Sequence, residues 1–69
     1  MVEVFKTNIQ ERKQAAFLFE MLALQFPLFK INFDLDDCDR ILRVEGEEVS
    51  NQQIISIINK VGYQCQPLE

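Results

Sequence analysis

The sequence predicts an α+β sandwich in the order strand, helix, strand, strand, helix, strand. Three observations carry this: Val49 to Tyr63 repeats its apolar residues with the period of a helix, Phe29 to Leu35 alternates apolar and polar residues as a half-buried strand does, and a second helical stretch lies between Gln10 and Phe26. With 69 residues the chain holds one domain, read over 1–69, near the lower limit for a single self-sufficient core.

Val2 to Ile9, VEVFKTNI, is rich in β-branched and aromatic residues and reads as the first strand. Val2, Val4 and Lys6 share one face and Phe5, Thr7 and Ile9 the other, and the pattern leaves open which is inward. Thr7 with Gln10, or Asn8 with Glu11, offers a capping box, so helix one starts close to Gln10 and runs to about Phe26, ahead of Pro27. Ala15, Phe19, Leu22 and Phe26 form its expected core stripe. Phe17, Met21 and Leu24 form a second apolar stripe, roughly 160–200° away at ~100° per residue.

In the second strand Phe29, Ile31, Phe33 and Leu35 alternate with Lys30, Asn32, Asp34 and Asp36, and Asp36 to Asp39 then turns the chain. Leu42 and Val44 point inward from the third strand, Arg43 and Glu45 outward, and Gly46 ends it. Helix two opens at Ser50, a good N-cap, with Gln53 placed to complete a capping box and Val49 to staple onto Ile54. Ile54, Ile57, Ile58 and Val61 form its inward side, with Ile55 at the margin, and Gly62 supplies a left-handed stop. Tyr63 to Leu68 is a short last strand, and Pro67, which cannot donate to a ladder, assigns it to an edge. Two interlocked right-handed βαβ units follow. The expected fold is therefore ferredoxin-like βαββαβ, a four-stranded antiparallel sheet with two helices on one face.

Composition narrows the function. Seven basic residues against eleven acidic ones give a net charge of −4, a field that repels phosphate backbones and anionic lipid surfaces, so neither nucleic acid nor membrane is an expected partner. The longest apolar run, Ala15 to Leu24, is broken by Glu20 and too short to span a bilayer. No secretory signal pattern is present, and the expected location is cytoplasmic. Cys38 and Cys65 are the two cysteines, a number and spacing that match neither a disulfide framework nor a zinc site. Histidine is absent, which removes the commonest acid-base group and nitrogen ligand. No base, nucleophile and orienting group assemble at recognisable spacing, so the chain is read as non-enzymatic, with no cofactor.

Val49, Ser50, Ile54, Ile58, Gly62 and Tyr63 fit the pattern v-s-x-x-x-I-x-x-x-I-x-x-x-G-Y, and with them the second half of the chain resembles the heavy-metal-associated domain of copper chaperones and metal-transporting ATPases. Length and element order fit that family over nearly the whole chain. The resemblance implies a Met-x-Cys-x-x-Cys loop between the first strand and helix one, where two soft thiolates near a helix N-terminus hold a soft ion such as Cu(I). Laid over Ile9 to Gln14, that loop has Ile9 at the methionine and Glu11 and Gln14 at the cysteines. The thiolate pair is missing, so the family's metal activity does not transfer. Glu11 with Cys65 is the residual metal candidate, as in a degenerate metal carrier. Cys65 is expected nearer this loop, with Cys38 at the opposite end of the sheet.

Other patterns have plainer readings. Asp34, Asp36, Asp37, Asp39 and Glu45 nearly match a calcium loop, but Asp39 occupies its obligatory glycine position, and a solvated acidic hairpin accounts for them. The third strand, ILRVEG, lacks the exposed aromatics of an RNA-recognition sheet. Small-molecule regulatory domains of the amino-acid-sensing kind also use this fold, and nothing in the sequence singles them out. The surplus stripe on helix one is the unusual feature. The family comparison suggests a core stripe rotated toward Leu18 and Met21, which leaves Phe17 and Leu24 on the flank or outside. Contiguous exposed apolar side chains mark interfaces, although small domains also leave large side chains half covered. The expected role is a protein-interaction or regulatory module, engaging a protein partner or self-associating through helix one. Its recognition surface is read as Ile9, Gln10, Glu11, Gln14, Phe17, Leu24 and Tyr63.

Overall fold

A computed structural model describes residues 1–68; Glu69, included in the domain read over 1–69, lies outside the described residues. The elements are β1 (Val2–Thr7), α1 (Arg12–Gln25), β2 (Lys30–Asp34), β3 (Ile41–Glu45), α2 (Asn51–Lys60) and β4 (Cys65–Pro67). The strands form one antiparallel sheet in the order β2-β3-β1-β4. Phe5 and Phe33 both lie opposite Leu42, and Val44 lies opposite Ile31, so these side chains share one face of the sheet. That face, with Leu18 and Leu22 of α1 and Ile54 and Ile58 of α2, forms a single core cluster. The inward face of β1 is thus the Phe5–Thr7 one, and Lys6 points out. No helix among the described residues is long and apolar enough to cross a membrane.

Helix α2 follows its local sequence closely. Ser50 Oγ accepts the Gln53 N–H at 3.3 Å, and Val49 packs against the core beside it. At the other end the Gly62 N–H donates to Asn59 O at 2.9 Å and the Tyr63 N–H to Ile58 O at 3.2 Å, the paired bonds of a Schellman stop. Gly62 makes this possible at φ +103°, a conformation L side chains rarely adopt.

The first loop departs from expectation for a physical reason. β1 ends at Thr7, two residues early, and α1 begins at Arg12 with Glu11 as its N-cap. The two expected caps are used elsewhere. Thr7 Oγ1 donates to Arg40 O at 2.6 Å and accepts the Ile9 N–H at 3.3 Å, while Asn8 Oδ1 accepts the Gln64 N–H at 2.8 Å. Both hold the loop to neighbouring segments, and the capping falls to Gln14, whose Oε1 accepts the N–H groups of Gln10 and Glu11 at 3.1 and 3.2 Å.

Of the two phases open to α1, the structure takes the one rotated toward Leu18, not the Phe19 one. Ala15, Leu18 and Leu22 are its buried residues, whereas Phe19, expected in the core, is 43% exposed. Leu18 takes the inward position, which turns Phe19 to the flank beside β2. Phe26 and Phe29 stack with centroids 5.0 Å apart and planes 10° from parallel, closing the turn between α1 and β2. The Phe29 ring lies against Gly46, where an added Cβ would sit 2.7 Å from Cε1. The final strand is shorter than Tyr63–Leu68, and its Pro67 does lie at an edge of the sheet.

Candidate interaction surface

One end of the sheet gathers the first loop, the β2–β3 hairpin and the α2–β4 turn. The Thr7 N–H donates to Asp39 O and Arg40 O at 3.1 and 3.2 Å, Lys6 Nζ lies 3.8 Å from Asp39, and Arg40 reaches Gln10 O at 3.4 Å. Cys38 therefore lies at the same end as the first loop, not the opposite one. The reason is topological: β3 runs antiparallel to β1 and begins beside its C-terminal end.

Among the described residues, the positions that resemble the family's metal loop hold no soft ligand. Ile9, at the position that resembles the family's methionine, is fully buried in the core, so it also drops out of the expected recognition surface. Glu11 is the N-cap residue of α1 and Gln14 is spent on capping. Cys65 is 6% exposed among apolar neighbours, and burial pushes its thiol from 9.0 up to about 12. A thiol held protonated at neutral pH is a poor partner for a soft cation. The Glu11–Cys65 donor set thus does not fit the ion that the family resemblance implies.

The acidic hairpin places ligand-type atoms of Asp37, Cys38 and Asp39 within 4.8 Å of one another. Within the hairpin Asp37 Oδ1 accepts the Asp39 N–H at 2.9 Å and Asp34 Oδ1 the Asp36 N–H at 3.2 Å, the side-chain bonds of an acidic turn. Glu45, the last ligand of a calcium-loop reading, lies opposite Lys30 at the far end of β3 and cannot join them. Arg40, at φ +49°, sets the chain back into β3.

The apolar surface lies on α1 and beside it. Phe17 is 56% exposed and Leu24 84%, two turns apart on one side of the helix. Of the remaining predicted surface residues, Gln10 and Glu11 are exposed while Gln14 and Tyr63 are half-buried, Tyr63 packing against the core. What the sequence pattern missed is the other flank of α1. Between that flank and β2 runs an open groove of about 330 Å³, lined by Ala15, Ala16, Phe19, Ile31, Phe33 and Leu35 among others, with Arg12, Asp34 and Asp36 at its polar end. β2 is an edge strand, so the groove runs along unpaired backbone. The signal for it was present in the half-apolar pattern of β2 combined with small residues at Ala15 and Ala16, but it appears only once the strand order is known.

Compared with known proteins, the sequence matches no family model and no curated protein, and no solved structure matches the fold at a significant level.

Proposed function

We propose that this chain is a non-enzymatic protein-interaction module of ferredoxin-like architecture, with α1 and the adjoining β2 edge as its recognition surface. The observation that carries the reading is the surplus of apolar surface on α1. The helix buries Ala15, Leu18 and Leu22, yet leaves Phe17, Phe19 and Leu24 exposed. One buried stripe is enough to dock a helix; apolar side chains left exposed on both of its flanks, Phe17 and Leu24 on one and Phe19 on the other beside β2, mark it as an interface. The βαββαβ element order and the antiparallel order β2-β3-β1-β4 support the ferredoxin-like reading.

The likeness to heavy-metal-associated domains is proposed as one of scaffold. Its support is the second half of the chain, where Ser50 caps α2 and Gly62 stops it. The residues proposed for recognition are Phe17 and Leu24 on one flank of α1 and Phe19 on the flank beside β2, with Gln10 and Glu11 exposed just before the helix.

The test is the double substitution Phe17→Ala/Leu24→Ala. These side chains are largely solvated, so unfolding free energy should change by less than about 0.5 kcal/mol. Self-association or partner capture should weaken roughly tenfold, the usual effect of truncating apolar anchors. Unchanged association by a folded variant would count against this surface.

A further inference from the structure

We propose that the β2 edge pairs with the β2 edge of a second copy, antiparallel and centred on Asn32, joining two sheets across a two-fold axis. This rests on the reading of α1 and β2 as an interaction surface and names its occupant.

The backbone determines which groups are free. Hydrogen bonds from Gly46 N–H to Met1 O and from Thr7 N–H to Arg40 O mark those residue pairs as the bonded ones in the β1–β3 ladder. Because bonded and non-bonded pairs alternate in an antiparallel ladder, Leu42 and Val44 use their backbone toward β1 and Ile41, Arg43 and Glu45 toward β2. Lys30, Asn32 and Asp34 are thereby bonded to β3. The N–H and C=O groups of Ile31 and Phe33 point outward, away from the sheet.

Those two residues are symmetric about Asn32. In an antiparallel pairing centred there, Ile31 faces Phe33 of the second copy and Phe33 faces its Ile31, and each pair exchanges two backbone hydrogen bonds. Asn32 then faces Asn32, and Lys30 faces Asp34 twice, in non-bonded positions where cross-strand side chains come closest. The strand reads KINFD, with opposite charges at its two ends. Both charged residues are exposed. Charges on an edge ordinarily discourage pairing. Here they favour one register: centring the pair on Lys30 sets lysine against lysine, centring it on Asp34 sets aspartate against aspartate, and only the Asn32 centre gives both charged residues an opposite charge to face.

The other edge lacks these features. β4 has three residues and contains Pro67, which has no N–H to donate. β2 is also flanked by apolar surface that pairing would cover: Phe19 and Ala16 line the groove on one side, and Leu28, two residues before the strand, is 94% exposed. A two-fold contact of this kind is self-complementary and closes at a dimer.

Charge reversal tests the register with the full chain. Lys30→Glu sets acid against acid at both ends of the paired strands, and Asp34→Lys sets base against base. Sedimentation equilibrium should show the wild type dimerising and each variant alone weakened roughly tenfold or more. An equimolar mixture of the two variants should recover the dimer, because each then meets its opposite charge. Amide spectra of each variant establish that it is folded. A wild type that stays monomeric at millimolar concentration overturns the proposal. So does a dimer indifferent to both reversals; if that dimer is lost in Phe17→Ala/Leu24→Ala, the interaction reading stands and only the edge pairing fails. A mixture no more associated than its components also overturns it.

Discussion

Replacing Gly46 with alanine tests how the β2 edge is held in place. Gly46 ends β3, and its N–H donates to Met1 O at 3.0 Å. An added methyl would collide with the Phe29 ring, 2.7 Å from Cε1, and that ring is stacked on Phe26 in the turn that delivers the chain to Lys30. The ring cannot give way without breaking the stack. Overpacking of this kind costs about 1–3 kcal/mol, while replacing glycine returns about 0.4–1 kcal/mol by restricting the unfolded chain. The net loss is about 1–2 kcal/mol, or roughly 4–16 °C in melting temperature for a domain of this size. Urea unfolding should show a lower midpoint with an unchanged slope. A double-mutant cycle identifies the cause, because in a Phe29→Ala background the Gly46→Ala change should lose its cost and stabilise by about 0.4–1 kcal/mol. An equal loss in both backgrounds would refute the collision with Phe29. No loss in either would refute the close packing itself.

Two further predictions concern the stop of α2 and the buried thiol. Gly62→Ala meets no steric neighbour but must hold φ +103°, so it should destabilise by about 1 kcal/mol, read from the same denaturation curves. Cys65, its thiol raised by burial to about 12, keeps its proton in the folded state after the unfolded chain has lost it. Stability should therefore be unaffected below about pH 9 and fall between 9 and 12, by at most about 1.4 kcal/mol per pH unit. Comparison with Cys65→Ala isolates this slope, and at neutral pH a thiol reagent should modify Cys38 alone until the protein is unfolded.

The elements whose signals are local were legible in the sequence. Helix α2 carries its cap, its apolar stripe and its stop within a single stretch, and the structure uses Ser50, Ile54, Ile58 and Gly62 as that stretch suggests. The alternation in β2 and β3 likewise places Ile31, Leu42 and Val44 inside. What was not legible depends on tertiary competition. Thr7 and Asn8 look like caps, but their side chains find partners at Arg40 and Gln64, distant in sequence, and the start of α1 moves to Glu11. Helix α1 is apolar on too many sides for its period to choose between Leu18 and Phe19. The sheet makes that choice. The position of Cys38 followed from strand direction, and the groove along β2 from strand order, neither of which a single stretch encodes. Of the expected recognition residues, Phe17 and Leu24 are exposed, while Ile9 was misplaced because an apolar residue just after a strand reads equally well as loop or core.

On the reading proposed above, α1 and the β2 edge form a surface for association. Its most direct test is a dilution series of the wild-type chain followed residue by residue through its amide NMR shifts, from millimolar to micromolar concentration. Saturable, concentration-dependent shifts are expected along Lys30 to Asp34 and on the flank of α1 around Ala16 and Phe19, with the far edge at Cys65 to Pro67 unmoved. Shifts that stay flat throughout, or that centre on the first loop and the acidic hairpin instead, would contradict that reading.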